Sequence, residues 1–162
     1  MERSLAVVEK METLVKELLY VSKTDGKQRT EYKTIDFAEL LRVQIADVTD
    51  LLSEKEISLS VDIPDKILCD ADPAQMERAI QNVLVNAIRY SPNGEAIYIS
   101  LSNDKNTVSC KVENTGVHIP KEMIPHLFEA FYRADTSRNR NTGGTGLGLY
   151  IVRKIMELHH AK

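Results

Sequence analysis

The sequence predicts an α+β fold, a two-layer α/β sandwich with helices on one face of a sheet, preceded by a separate amphipathic helix. Three observations predict it. Apolar residues recur at three- and four-residue steps over 1–22, 37–52 and 73–90, the period of helices with one buried face. They alternate strictly with polar residues over 57–63, 95–101 and 107–113, the period of half-buried strands. Polar or Gly/Pro segments separate these runs.

Taken in order, Val8, Met11, Val15 and Leu18 form the stripe of the first helix, widened by Leu14 and Val21. A stripe of that width needs a partner, either its own domain or a helical bundle. Residues 23–33 (KTDGKQRTEYK) have no periodicity and predict a linker, so a boundary falls between 1–22 and a main domain over 34–162. Asp36 is a helix N-cap with Glu39 at the reciprocal position of a capping box, and the helix buries Phe37, Leu40, Leu41, Ile45, Val48, Leu51 and Leu52. Ile57, Leu59, Val61 and Ile63 then alternate as a strand, and Ile67-Leu68-Cys69 gives a short second one. Asp72 as N-cap and Pro73 at the first helical position open a helix that runs to about Tyr90. Ser91-Pro92-Asn93-Gly94 is a turn, and residues 95–101 and 107–113 pair as a hairpin across Asn103-Asp104-Lys105-Asn106.

Composition excludes several functional classes. The chain has 162 residues and a formal charge of −3, with no basic tract, so nucleic acid is not an expected partner. No apolar run approaches the roughly 20 residues that span a bilayer, so direct membrane contact by this chain is not expected. Cys69 and Cys110 lack metal-ligand spacing and predict reduced thiols in the core.

Two features carry chemistry. Four of the seven glycines lie in Gly143-Gly144-Thr145-Gly146-Leu147-Gly148, just before an apolar helical run. Such glycines let successive N–H groups turn toward an anion at a helix N-terminus, although a flexible loop has the same composition. In the helix from Pro73, residues Gln75, Arg78, Asn82, Asn86 and Arg89 form a polar stripe. Asn competes for backbone hydrogen bonds inside helices, so two of them one turn apart suggest ligation, Asn carbonyls being hard oxygen donors for Mg²⁺. A solvated polar face is the other reading of the stripe.

Together these segments resemble the ATP-binding domain of sensor histidine kinases. Asn82-Val-Leu-Val-Asn86-Ala87-Ile-Arg89-Tyr90-Ser91 is similar to the N box, and Gly144-Thr-Gly146-Leu-Gly148-Leu149 to the second glycine box. Phe128-Glu-Ala-Phe131-Tyr132-Arg133 resembles the F box, and Val112-Glu-Asn114-Thr-Gly116-Val-His118-Ile119-Pro120 stands where the first glycine box belongs. The order and separation match over about 34–160, and Leu14–Ser22 resembles the second helix of the family's dimerisation domain.

The resemblance implies a Bergerat-type fold with a mixed sheet, binding ATP and Mg²⁺. It implies transfer of the γ-phosphoryl to a histidine on a dimerisation domain of the same or a dimer-related chain, for relay to a response regulator. It further implies a homodimeric parent and a cytoplasmic domain of a membrane-anchored sensor. By the same resemblance Asn86 binds Mg²⁺ with Asn82 nearby, Arg89, Tyr90 and Arg133 contact nucleotide or phosphate, and Phe128 and Phe131 anchor a lid over 134–142. Gly144, Gly146 and Gly148 cradle the phosphates, Asn114 stands at the adenine position, and Thr145, Leu147, Gly116 and Ile119 belong with them to the ATP-binding set. No general base is identified; Gln75 and Arg78 are candidates by location alone.

The sequence departs from the family's pattern at several points. Asn114 replaces an aspartate that accepts from the adenine amino group, and His118 replaces a glycine. None of His118, His126, His159 or His160 has the phosphoacceptor context. The first dimerisation helix and the last strands are expected to be missing, as in a fragment truncated at both ends. A non-catalytic ATP-binding regulatory module is the alternative from another class, followed by related ATPases and anti-sigma kinases of the same fold.

Overall fold

The computed structural model describes residues 2–24, 30–105, 107–133 and 144–162. Among the described residues, five helices and five strands follow in the order α1 (Glu2–Thr24), β1 (Lys33–Asp36), α2 (Phe37–Asp47), α3 (Thr49–Glu54), β2 (Ser58–Asp62), β3 (Leu68–Ala71), α4 (Pro73–Tyr90), β4 (Ala96–Asp104), β5 (Thr107–Asn114) and α5 (Gly148–Leu158), with a 3₁₀ turn at Ile124–His126. The expected α+β sandwich is the observed architecture.

Both predicted N-caps are real. The Asp36 carboxylate accepts from the Ala38 and Glu39 N–H groups, and that of Asp72 from Gln75 N–H. Each carboxylate also ties down a distant segment: Asp36 accepts from Ile67 N–H at 3.2 Å and Asp72 from Glu31 N–H at 3.0 Å. The helix expected over 37–52 is two helices. Val48 leaves helical geometry (φ −105°, ψ 6°), and the chain turns there so that Val48 and Leu52 are both buried. The apolar stripe continues through the break, which is why periodicity alone runs the two together.

β1 lies in part within the segment expected to be a linker. It is four residues long with Ile35 its one apolar residue, and it forms a strand because it pairs antiparallel with β3, Lys33 opposite Ala71 and Asp36 opposite Leu68. α1 likewise runs to Thr24, two residues past its expected end. The other sheet has the order β2-β4-β5. β2 and β4 are parallel from Ser58 opposite Ala96 to Asp62 opposite Ser100, while β4 and β5 form the predicted hairpin, with a shorter loop than expected because they pair out to Asp104 and Thr107.

Apolar faces of α2, α4 and α5 meet the sheet at Leu41, Leu84, Ile97, Ile99, Ile151 and Ile155, all under 3% exposed. Burial of this face drives the sandwich. Neither cysteine is a core residue: Cys69 is half-buried and Cys110 exposed on β5. Strand alternation puts Cys110 on the same face as Val108 and Val112, the side chains that pack on the core, but Cys110 itself stays exposed.

Candidate functional site

α4 carries the predicted polar stripe along the wall of a cavity of about 1150 Å³, whose lining includes Arg78, Asn82, Asn86, Arg89 and Tyr90. The stripe faces the cavity because Met76, Ile80, Leu84 and Ile88 occupy the opposite, buried side of the helix. The glycine loop supplies a second wall with Gly144, Thr145, Gly146 and Gly148. Asn114, Val117, His118 and Ile119, continuing from β5, supply a third, with Met123, Leu127, Tyr132 and Arg133 beyond them.

These walls touch closely where the sequence has no side chain. A Cβ at Gly144 would lie 2.8 Å from Arg89 Nη1, and one at Gly148 would lie 3.3 Å from Asn82 Oδ1. Glycine at 144 and 148 thus admits the α4 side chains against the loop backbone. Arg133 Nη1 donates to the Gly144 carbonyl at 3.1 Å, so both arginines converge on residue 144. Two guanidiniums converging on a glycine loop at the start of α5 make a site for an anion with several oxygens. The Phe131 N–H donates to Gly146 O at 2.9 Å, joining the two sides of residues 134–143; the expected lid over 134–142, and Gly143, lie outside the described residues.

Not every expected residue reaches the cavity. Gln75 is buried at 3% exposure, and its amide donates to Asp72 at 3.0 Å within the N-cap of α4. Gln75 therefore braces the helix start and does not line the cavity. Arg78 does line it, and its guanidinium lies 3.8 Å above the Tyr20 ring of α1. Gly116 adopts φ +76° under the Glu95 side chain, which leaves a Cβ only 2.6 Å, so its glycine requirement is local packing. Leu147 is a core residue, 1% exposed, whose N–H donates to Thr145 Oγ1. Phe128 and Phe131 are 41% and 58% exposed.

Two contributions were missed by sequence reasoning. Thr13, Lys16 and Glu17 of α1 line the cavity, and the Thr145 hydroxyl donates to the Glu17 carboxylate. Their spacing marks a polar helix face, a signal that any solvated face shares. The second is Lys55, whose ammonium donates at 2.8 Å to each of the Ile88, Arg89 and Ser91 carbonyls. It thereby satisfies the orphan acceptors at the end of α4, the turn that aims Arg89 and Tyr90. Burial holds its pKa below the ordinary lysine value, and the Arg89 charge adds to that.

A cavity walled by an Asn-bearing helix, two arginines and a glycine loop at a helix start, on helices packed against a mixed sheet, defines a nucleotide-binding ATPase fold, and residues 71–162 match the model of the histidine kinase-, DNA gyrase B- and HSP90-like ATPases. The chain belongs to that family. It is 33% identical over 167 residues to the probable sensor kinase SilS of Salmonella typhimurium, covering 98% of this chain and 33% of that protein. It is 36% identical over 149 residues to the sensor histidine kinase YkoH of Bacillus subtilis, covering 92% of this chain and 32% of that one. Among solved structures, the Acinetobacter baumannii histidine kinase AdeS superposes with a TM-score of 0.79 at 25% identity, over 97% of this chain and 72% of that chain. The chain spans about a third of the length of the curated relatives it matches.

Proposed function

We propose that this chain is the ATP-binding catalytic part of a sensor histidine kinase, which holds Mg-ATP with its γ-phosphoryl presented to a histidine on a dimerisation domain. The observation that carries this reading is the convergence of Arg89 and Arg133 on Gly144, beside Asn82 and Asn86. Residues 1–22 are then the second dimerisation helix, 23–33 a connection and 34–162 the catalytic domain. The exposed Val8, Met11, Val15 and Leu18 of α1 suit packing in a homodimeric bundle. The response regulator would receive the phosphoryl group from that bundle, in the cytoplasmic part of a membrane sensor.

The donor set fits the metal. Among the described residues no cluster of three His, Cys, Asp or Glu could hold a cation. One or two Asn carbonyls with phosphate oxygens and water suit Mg²⁺, which prefers hard oxygens and keeps part of its water shell. Asn86 would hold the ion, with Asn82 beside it. When bound, Mg²⁺ would supply charge neutralisation at the phosphates. Arg89 and Arg133 offset the remaining negative charge, and the Gly144 to Gly148 backbone fixes the phosphate chain; positioning and electrostatics are the main catalytic means in phosphoryl transfer.

Asn114 and His118 favour a second reading, a module that uses nucleotide occupancy as a switch without transfer. Thermal unfolding with and without a Mg-ATP analogue, in parent and Asn86→Ala, tests the site, since a ligand that binds only the folded state raises apparent stability. Stabilisation of the parent alone supports it; no stabilisation of a folded parent rejects it. Phosphorylation of a supplied histidine-acceptor domain then separates kinase from switch.

A further inference from the structure

Asn114 ends β5 at the cavity wall, and the chain continues from it through an apolar segment that places Ile119, Met123 and Leu127 in the same lining. Its side-chain amide is half-buried and has no hydrogen-bond partner among the described residues. The neighbouring carboxylate on the cavity lining, Glu113, is paired with Lys111 at 2.9 Å. An apolar slot with one uncommitted amide is a site for a flat heteroaromatic ring with a hydrogen-bonding edge.

An amide carries a donor and an acceptor side by side and can exchange them by a half-turn about its terminal torsion. In one orientation it accepts from the 6-amino group of adenine and donates to N1. In the other it donates to O6 of a 6-oxopurine and accepts from N1–H. A carboxylate offers acceptors alone: it takes the 6-amino group of adenine, but in the same ring pose it sets an acceptor against O6 of hypoxanthine, and it pairs with guanine only in a shifted pose through N1–H and the 2-amino group. We infer that Asn114 reads both kinds of purine, so that the site takes GTP and ITP as well as ATP; this rests on the nucleotide-site reading proposed above.

The test measures affinities of the whole chain for non-hydrolysable Mg-ATP, Mg-GTP and Mg-ITP analogues by calorimetry, in parent and Asn114→Asp. In the parent the adenine and 6-oxopurine affinities agree within about tenfold. In Asn114→Asp the preference for the ATP over the ITP analogue rises about 10- to 100-fold, the scale of discrimination by one base-edge contact. ITP binding without GTP binding supports the inference equally, since ITP shares the 6-oxo edge and lacks only the 2-amino group. Binding of the ATP analogue with neither 6-oxopurine overturns the inference and leaves the nucleotide site standing. An equal ATP-to-ITP preference in parent and Asn114→Asp also overturns it. Failure of all three analogues to bind a folded chain overturns the nucleotide-site reading itself, and the inference with it.

Discussion

Phe131 and Gly146 meet backbone to backbone: the Phe131 N–H donates to the Gly146 carbonyl at 2.9 Å, while a Cβ on Gly146 would stand 2.8 Å from the Phe131 carbonyl carbon. Gly146 also holds φ +76°, and Phe131 itself is at φ +66°. Alanine at 146 therefore meets two obstacles, a left-handed backbone and an immovable main-chain neighbour. Gly146→Ala is expected to cost about 1–2 kcal/mol for the left-handed conformation alone. It should also open the loop, lowering Mg-ATP analogue affinity at least tenfold; a melting curve and a calorimetric titration check the two effects.

Gly144→Ala should behave differently. Its Cβ would be 2.8 Å from Arg89 Nη1, the far end of a flexible side chain, with no backbone in the way. The guanidinium can move aside, so the melting temperature stays within a degree or two of the parent. Displacing Arg89 removes the phosphate contact proposed for it, so nucleotide affinity is expected to fall. A fall in stability as large as that of Gly146→Ala would contradict this account.

Lys55 acts from outside the cavity. Replacing it with methionine keeps the stem and leaves the Ile88, Arg89 and Ser91 carbonyls without their donor. Hydrogen bonds to charged groups contribute about 1.5–3 kcal/mol each to stability, and the three share one donor group. We expect a loss of about 2 kcal/mol for Lys55→Met by urea unfolding, with faster amide exchange confined to the last turn of α4.

Asp72 links stability to pH. Burial pushes its carboxyl up, but hydrogen bonds from the Glu31, Gln75 and Ala74 N–H groups and from the Gln75 amide outweigh that and set it below the ordinary value. A carboxylate whose folded pKa lies below its unfolded one stabilises fully above the unfolded value, near pH 4, and loses that contribution as pH falls through the folded value. Asp72→Ala should therefore cost about 1–2 kcal/mol at pH 7, as for other N-caps, and progressively less below pH 4. A penalty that is independent of pH down to pH 2 would remove the charge from the explanation.

The local signals in the sequence were sufficient for α4. Asp72 and Pro73 fix its start, Ser91-Pro92 its end, and the spacing of Asn82, Asn86 and Arg89 its polar face, all within reach of neighbours along the chain. The β4–β5 hairpin is legible for the same reason. β1 is not, because Lys33-Thr34-Ile35-Asp36 becomes a strand only by pairing with residues more than thirty positions away. The break at Val48 is hidden by an apolar stripe that runs through both helices.

At the site, the residue types were set by sequence and the contacts by the fold. Asn82, Asn86, Arg89 and the glycine loop stand out by composition and spacing, so the chemistry of the proposed anion site is written locally. Which glycines admit a side chain from α4, that Gln75 braces an N-cap while Arg78 reaches the cavity, that Gly116 answers to Glu95, and that Lys55 holds the end of α4 were decided only when the elements packed. Periodicity tells which face of a helix is polar; it carries no information about what that face meets, because the partner lies tens of residues away and is chosen by burial of the opposite, apolar face.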